Sequence, residues 1–371
     1  GSATTTYIDT DESEIAHCAG VLEDHPRYDY TGNVNGDPVL MLEPFRTNLF
    51  DLSEVFYRSP WTRDGVTVQN KNATSPDGSK NASRIQEQGT NGDHFLGYSL
   101  ELTSGKTYTV SIFAKEAERS VIQFSPSVSH IASSHANFDL SDGSVGSTSG
   151  DVTASIEDHH DDWYRCSMTF TATATATATF AFYIQTTDSA ARGATYQGNT
   201  SNGILAYGAQ IEEGPYATSY IPTYGSSASR SGEAHNSLSS FRCKLAKTLT
   251  KSYTLFVDLK VDNLERDRNF DDIFVARRHG DNSYALRIEG YHDPNQNPTT
   301  YTMRVFDASV GIKVFVNGDS TPMSQTLGTF SMKEVIFLEG GGNVRSKTLI
   351  HSIQAYNEAL TDQEAIDLTT L

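Results

Sequence analysis

The chain has 371 residues, 18 of them Tyr and 18 Phe, and a net charge of −18. That length accommodates two domains with separate cores. The acidic balance argues against a nucleic-acid partner, whose phosphates need clustered Lys and Arg, and disfavours approach to anionic bilayers. No apolar run reaches membrane-spanning length and no signal-peptide pattern opens the chain. Gly1-Ser2 reads as a cloning remnant, which leaves room for a natural leader or an upstream domain. Cys18, Cys166 and Cys243 are odd in number and far apart, so neither a disulfide framework nor metal-ligand spacing is expected.

Residues 1–50 show little periodicity and several turn signals, among them Gly32-Asn33 and Asn35-Gly36-Asp37-Pro38. With too little apolar material for a core, the segment is expected to be an extended arm laid on the body. Tyr28, Tyr30, Leu40, Leu42 and Phe45 are its expected buried contacts.

Residues 51–223 form the first expected domain. Gly65–Gln69, Ala82–Gln86, Phe95–Leu102, Thr107–Lys115 and Val121–Ser125 are strand-like runs bounded by Gly, Pro, Asn or Ser. Spacing of about 8–12 residues between such runs points to an antiparallel sandwich. Asn91-Gly92 and Ser104-Gly105-Lys106 are turn signals, and the Ser/Gly-rich stretch 139–150 is expected to be an exposed connection. Met168–Gln185 alternates without a break, apolar or Ala on one parity and mostly Thr on the other. One strand of that length would span about 60 Å, so a hairpin turn is expected within Ala172–Ala178. Ile204–Ile211 reads as a closing strand, stopped by Gly214-Pro215. Residues 224–232, rich in Ser and Gly, are expected to be a flexible linker.

Residues 233–371 form the second expected domain. Tyr253–Val261, Asp271–Arg277, Ser283–Ile288, Thr300–Phe306, Ile312–Val316 and Lys333–Glu339 follow at sandwich spacing. Val316-Asn317-Gly318-Asp319 is a hairpin signal. Thr361, with Glu364 at the capping-box position, starts an expected C-terminal helix. The fold class is therefore all-β: two antiparallel sandwiches, an N-terminal arm and a short C-terminal helix.

Catalytic signatures are missing. There is no Gly-x-Ser-x-Gly elbow, His-Glu-x-x-His, P-loop or dinucleotide fingerprint. With 46 acidic residues, candidate carboxylate pairs are everywhere and discriminate nothing. His159-His160-Asp161-Asp162 has metal-binding residue types, but adjacent side chains on extended backbone diverge, so a solvated loop is the favoured reading. Trp61 and Trp163 stand at strand starts and are read as core.

Residues 207–223 (YGAQIEEGPYATSYIPT) resemble the end of a carbohydrate-binding-type jelly-roll module found in bacteriophage tail fibres and other virion surface proteins. Pro26–Tyr30 with Leu42–Leu49 resembles the lead-in of those proteins, and Trp163-Tyr164-Arg165 with Thr169–Ala172 their late hairpin. Ile350–Ile366 resembles the last strand and helix of laminin-G/concanavalin-like lectin domains. The resemblance implies a non-enzymatic adhesin at the virion tail surface, extracellular during host recognition, with bacterial surface polysaccharide and other virion tail proteins as partners. It also implies a homotrimer, with a monomer as the alternative. No cofactor is expected beyond a structural calcium of the kind lectin-like sandwiches carry, for which Asp271 and Asp272 are the candidate ligands. Two rival readings are a polysaccharide depolymerase and a structural spacer of a fibre.

Strand parity suggests a sugar site. If Tyr108, Val110, Ile112, Phe180, Phe182 and Ile184 face the core, then Phe113, Lys115, Tyr183 and Gln185 face outward, and Gln123 joins them if Ile122 and Phe124 are core. Aromatic faces stack on sugar C–H groups while Lys and Gln fix hydroxyls. An interface with the arm or a neighbouring subunit is the competing use for Phe113 and Tyr183.

Overall fold

The computed structural model describes residues 43–131 and 134–230 with their side chains, and Met41. Outside them it describes the backbone of strands within 27–42 and 241–356. The chain divides into two compact units, one containing Arg46–Arg230 and the other the strands before and after it.

The first unit is an antiparallel, jelly-roll-like sandwich. Its first sheet runs in the order β12 (Ser144–Ser149), β11 (His135–Asp139), β10 (Val121–Ser125), β15 (Ala176–Gln185), β8 (Phe95–Leu102) and β4 (Thr62–Asp64). Its second runs β13 (Val152–Asp158), β14 (Trp163–Thr171), β9 (Thr107–Glu116), β17 (Gly203–Glu213), β6 (Ala82–Glu87) and β5 (Val66–Ala73). Two short pairs complete it: β7 (Asn91–Gly92) with β16 (Tyr196–Gln197), and β3 (Arg46–Asn48) with β18 (Ala228–Arg230).

Both sheets feed one core. Leu96, Tyr98, Ile122, Phe124, Phe180, Phe182 and Ile184 enter from the first sheet, and Tyr108, Val110, Ile112, Met168 and Phe170 from the second. These are alternate residues of their strands, so the inward parity is as expected. Trp61 is core, packed between Phe50, Phe56 and Tyr98. Trp163 is buried on the other side of the second sheet, with Phe113, Tyr207 and Tyr220.

Four expectations are corrected here. The chain does turn at residues 172–175, but β14 and β15 pair with different neighbours in different sheets. The connection is an arch across the core, with Ala172 buried, and not a hairpin. Alternation cannot separate the two cases, because both need an apolar inner parity on each arm. Residues 139–150 are not merely a connection, since Ser144–Ser149 forms the edge strand β12. Asn91-Gly92 pairs with Tyr196-Gln197 instead of turning a hairpin. The presumed linker 224–232 contributes β18, whose register on β3 sets Ala228 opposite Asn48 and Arg230 opposite Arg46.

The closing motif has a local logic. In β17 the register on β9 shifts between Tyr207 and Gln210. Gly208 sits in that bulge at φ 60°, and a Cβ there would meet Phe113 and Tyr220 at 3.0 and 3.2 Å; only glycine fits both demands. After Glu213 the chain folds back. The Glu212 carboxylate accepts the Thr218 N–H at 2.8 Å and the Thr218 hydroxyl at 2.7 Å, and Gln210 Oε1 accepts the Ile221 N–H at 2.7 Å. Asn48 donates to the Ala209 and Ile221 carbonyls. Buried polar groups of the motif thus satisfy the backbone of the returning segment.

In the second unit one sheet runs β1 (Arg27–Asp29), β2 (Val39–Leu42), β27 (Lys347–Tyr356) and β20 (Thr254–Asp262). Another runs β19 (Phe241–Leu249), β26 (Met332–Phe337), β21 (Asp271–Arg278), β22 (Tyr284–Tyr291) and β23 (Thr300–Val305). β24 (Ile312–Val314) pairs with β25 (Met323–Gln325). The expected arm is therefore divided: Val39–Leu42 adds a strand to β27, while Arg46–Asn48 belongs to the first unit. Phe45, expected to be buried, is 43% exposed. The expected C-terminal helix, Tyr30, and the side chains of Tyr28, Leu40, Leu42, Asp271 and Asp272 lie outside the described residues.

Candidate functional site

The five residues expected to form one sugar site fall on opposite outer faces of the sandwich. Phe113 and Lys115 belong to β9 in the second sheet, whereas Gln123, Tyr183 and Gln185 belong to β10 and β15 in the first. Parity predicts which way each side chain points, and here it holds. Which sheet a strand joins is decided by pairing partners distant in sequence, so the five never converge.

On the second sheet's outer face, Phe113 keeps only 5% of its surface. His159 stands edge-on to its ring at 5.0 Å, the Arg165 guanidinium lies 5.3 Å from the ring centre, and Tyr207 and Tyr220 close the other sides. The returning segment that brings Tyr220 is what covers it. Lys115 is spent on the turn before β14: its Nζ contacts the Asp161 carbonyl and lies 3.4 Å from Asp162 Oδ2. That turn holds His160, Asp161 and Asp162 all at positive φ. Among the described residues, no group of three or more His, Cys, Asp or Glu side chains is placed to hold a metal ion.

On the first sheet's outer face, cross-strand register sets a row. Asp64 is opposite Phe95, Phe95 opposite Tyr183, Tyr183 opposite Gln123, and Gln123 opposite Asn137. The far end is roofed by the loop after β15. Gln123 accepts the Gly193 N–H at 2.7 Å and donates to the Ala191 carbonyl at 3.0 Å, while Asn137 donates to Ala190 at 2.8 Å. Gln185 likewise donates to Ala194 at 3.2 Å. The two glutamines expected as sugar contacts are therefore buried loop anchors. Their amides are engaged because an unpaired buried amide would cost about 1–3 kcal/mol.

The loop is pinned beyond its apex too. The buried Glu87 carboxylate accepts from Arg119 Nε at 2.6 Å, the Tyr196 hydroxyl at 2.7 Å and the Asn199 N–H at 2.8 Å. Burial alone would raise its pKa, but the bonds from Arg119, Asn199 and Tyr196 outweigh that and hold it below the usual carboxylate range.

The near end of the row is more open, although Gly193 reaches the Tyr183 hydroxyl, where a Cβ would lie 3.4 Å away. Tyr183 and Phe95 are both half-buried, their rings 4.9 Å apart and tilted by 43°. Beside them the floor drops to Gly97 and Ala181, which face each other across β8 and β15. A Cβ at Gly97 would meet Thr62 Oγ1 at 2.6 Å and Thr179 Cγ2 at 2.7 Å. Thr62 and Ser99 are exposed, and Ser99 shares a 2.9 Å hydrogen bond with Thr179. Burial pushes the Tyr183 hydroxyl up, Asp93 and Asp64 add to the rise and Arg192 opposes it. Two carboxylates and a guanidinium therefore stand near that hydroxyl. The result is a shallow aromatic platform with hydroxyls, two acids and a base around it.

Phe95 was overlooked at the sequence level, although it has the outward parity of the run that places Leu96, Tyr98 and Leu100 inward. Asp64, Asp93 and Arg192 carry no local signal, since only tertiary pairing brings them to Tyr183. A cavity of about 410 Å³ lined by Ile131, Gly150, Asp151, Thr171 and Thr173 shares no residue with either face's aromatic cluster. Among the described residues, no helix is long and apolar enough to cross a membrane. Compared with protein-family models the chain matches none, and a search of curated proteins likewise finds no match.

Proposed function

We propose that the chain is a non-enzymatic virion adhesin, a phage tail-fibre or receptor-binding protein, that recognises bacterial surface glycan through the outer face of the first sheet. The observation that carries glycan recognition is the half-exposed Phe95–Tyr183 ring pair, beside the Gly97–Ala181 floor and within reach of Thr62, Ser99, Asp64, Asp93 and Arg192. Rings of that kind stack on sugar C–H groups, and the surrounding polar groups select hydroxyl positions. The tail-fibre assignment rests on the resemblance of residues 207–223, whose bulge lies in a central strand of the second sheet and whose fold-back covers that sheet's outer face. In this reading the second unit is the lectin-like domain with its calcium candidates Asp271 and Asp272. The assembly is a homotrimer on the tail surface, its partners being host polysaccharide and other tail proteins.

A glycan-array screen combined with a reducing-end assay on the same sample tests the reading. Binding without release of reducing ends is the expected result. Release of reducing ends would make the protein a depolymerase, and intact assembly with no glycan bound would make it a spacer.

A further inference from the structure

The floor beside the ring pair continues past Ala181. Gly97 is opposite Ala181 across β8 and β15, and Ala181 is opposite Ser125 across β15 and β10. Small side chains therefore pave a trough that runs alongside Phe95 and Tyr183 toward β10. At that end the roofing loop comes down. Gln123 holds Ala191 and Gly193, and between them Arg192 donates from Nη2 to the Pro126 carbonyl, just after β10, at 2.9 Å. The guanidinium is thus fixed in place before any ligand arrives.

The polar groups at that end are underused. Arg46, Arg84 and Arg119 pair with Glu212, Glu118 and Glu87, but among the described residues no carboxylate pairs with Arg192. A guanidinium carries five N–H donors. Arg192 Nε is buried without a partner, and Nη1 donates to none of the described residues. The Ser125 hydroxyl, on a residue only 2% exposed, is also without a partner. Buried donors are ordinarily paired, so unmet ones beside an open platform point to an acceptor brought from outside. The charges around the rings are also sorted by side. In the sheet order β10, β15, β8, β4, Arg192 is anchored on the β10 side of Tyr183, whereas Asp64 is on β4 and Asp93 stands just before β8. A saccharide lying on the rings therefore has a cation at one end and two acids at the other.

We propose that the glycan is acidic and that Arg192 selects it, taking a sugar carboxylate at the Ser125 end of the trough. A carboxylate matches the planar fork of a guanidinium, and hydrogen bonds between the two are charge-assisted. Asp64 and Asp93 accept from sugar hydroxyls at the other end and repel a carboxylate placed there, which fixes the direction in which the sugar lies. The inference rests on the glycan reading of this face and adds the chemical class of the sugar.

An array of uronic-acid oligosaccharides, each beside its carboxyl-reduced counterpart, tests it. The quantity read is the affinity ratio of acidic to reduced form within one protein, so a variant that folds less well does not shift it. Wild type should prefer the acidic form at least about tenfold. Arg192→Gln should bind both forms alike, and Arg192→Lys, which keeps the charge, should retain part of the preference. Three results overturn the proposal. Equal binding of both forms by wild type, lost in the Phe95→Ala/Tyr183→Ala variant, would leave the glycan site standing and remove its acid selectivity. A preference that survives Arg192→Gln would assign the selectivity to another residue. Binding of neither form, here or among other glycans, would remove the glycan reading together with this one.

Discussion

Phe113 and Tyr183 are both aromatic residues on the outward parity of a central strand, one on each face of the same sandwich. Phe113 is enclosed by Tyr207, Tyr220, Arg165 and His159, while Tyr183 stays half-buried beside Phe95. The difference comes from what the chain does afterwards. After β17 it doubles back over the second sheet and seals Phe113 in. After β15 it roofs the Gln123–Asn137 end of the first sheet and reaches Tyr183 at Gly193, leaving that ring half-buried. An outward side chain is thus a ligand contact or a second core according to the course of a loop.

The largest effect that would sharpen this contrast is expected at Phe113. Phe113→Ala should cost about 3–5 kcal/mol in denaturant unfolding, as for a buried ring. A loss within about 0.5 kcal/mol, the size of an ordinary surface substitution, would break the contrast.

Next comes pH. Burial raises the Glu54 carboxyl from an ordinary 4.5 to about 7, so in that window the folded state binds more protons than the unfolded state. Stability should therefore be fully present below 4.5, fall as pH rises to about 7 and level off above it, by at most about 3 kcal/mol from this group. In Glu54→Gln that slope should vanish, and thermal melts of both proteins across the window would show whether it does.

Smaller again, Gln123→Ala should cost about 1–3 kcal/mol, because the Gly193 N–H and the Ala191 carbonyl lose their partner. Increased exchange confined to residues 188–194 would identify the loop as what it holds, whereas an unchanged loop would mean the roof is held elsewhere.

Much of the strand inventory was legible in the sequence. Phe95–Leu102, Thr107–Glu116 and Val121–Ser125 are strands, the last two with the expected inward sets, because a period of two survives any choice of partner. Pairing was not legible. The arch at 172–175 and a hairpin have the same alternation, and the bulge at Gly208 moves the inward set from Ile204 and Ala206 to Ala209 and Ile211. The polar edge strand Ser144–Ser149 has little apolar signature to find. Of the candidate site, Tyr183 and its outward direction were readable, and Phe95 could have been. Gln123 and Gln185 were correctly oriented but assigned the wrong partner, a sugar in place of the backbone of the covering loop.

The smallest effect on stability bears most directly on function. With Phe95→Ala and Tyr183→Ala combined, the ring pair disappears from a half-exposed face, and each change should cost no more than about 1 kcal/mol. Affinity for the best glycan from the array should meanwhile fall at least about tenfold. Titration calorimetry of that glycan against wild type and the double variant decides the matter. Lost binding by a protein that melts almost as before is the predicted result, and unchanged affinity in the double variant would contradict the assignment of the site to this face.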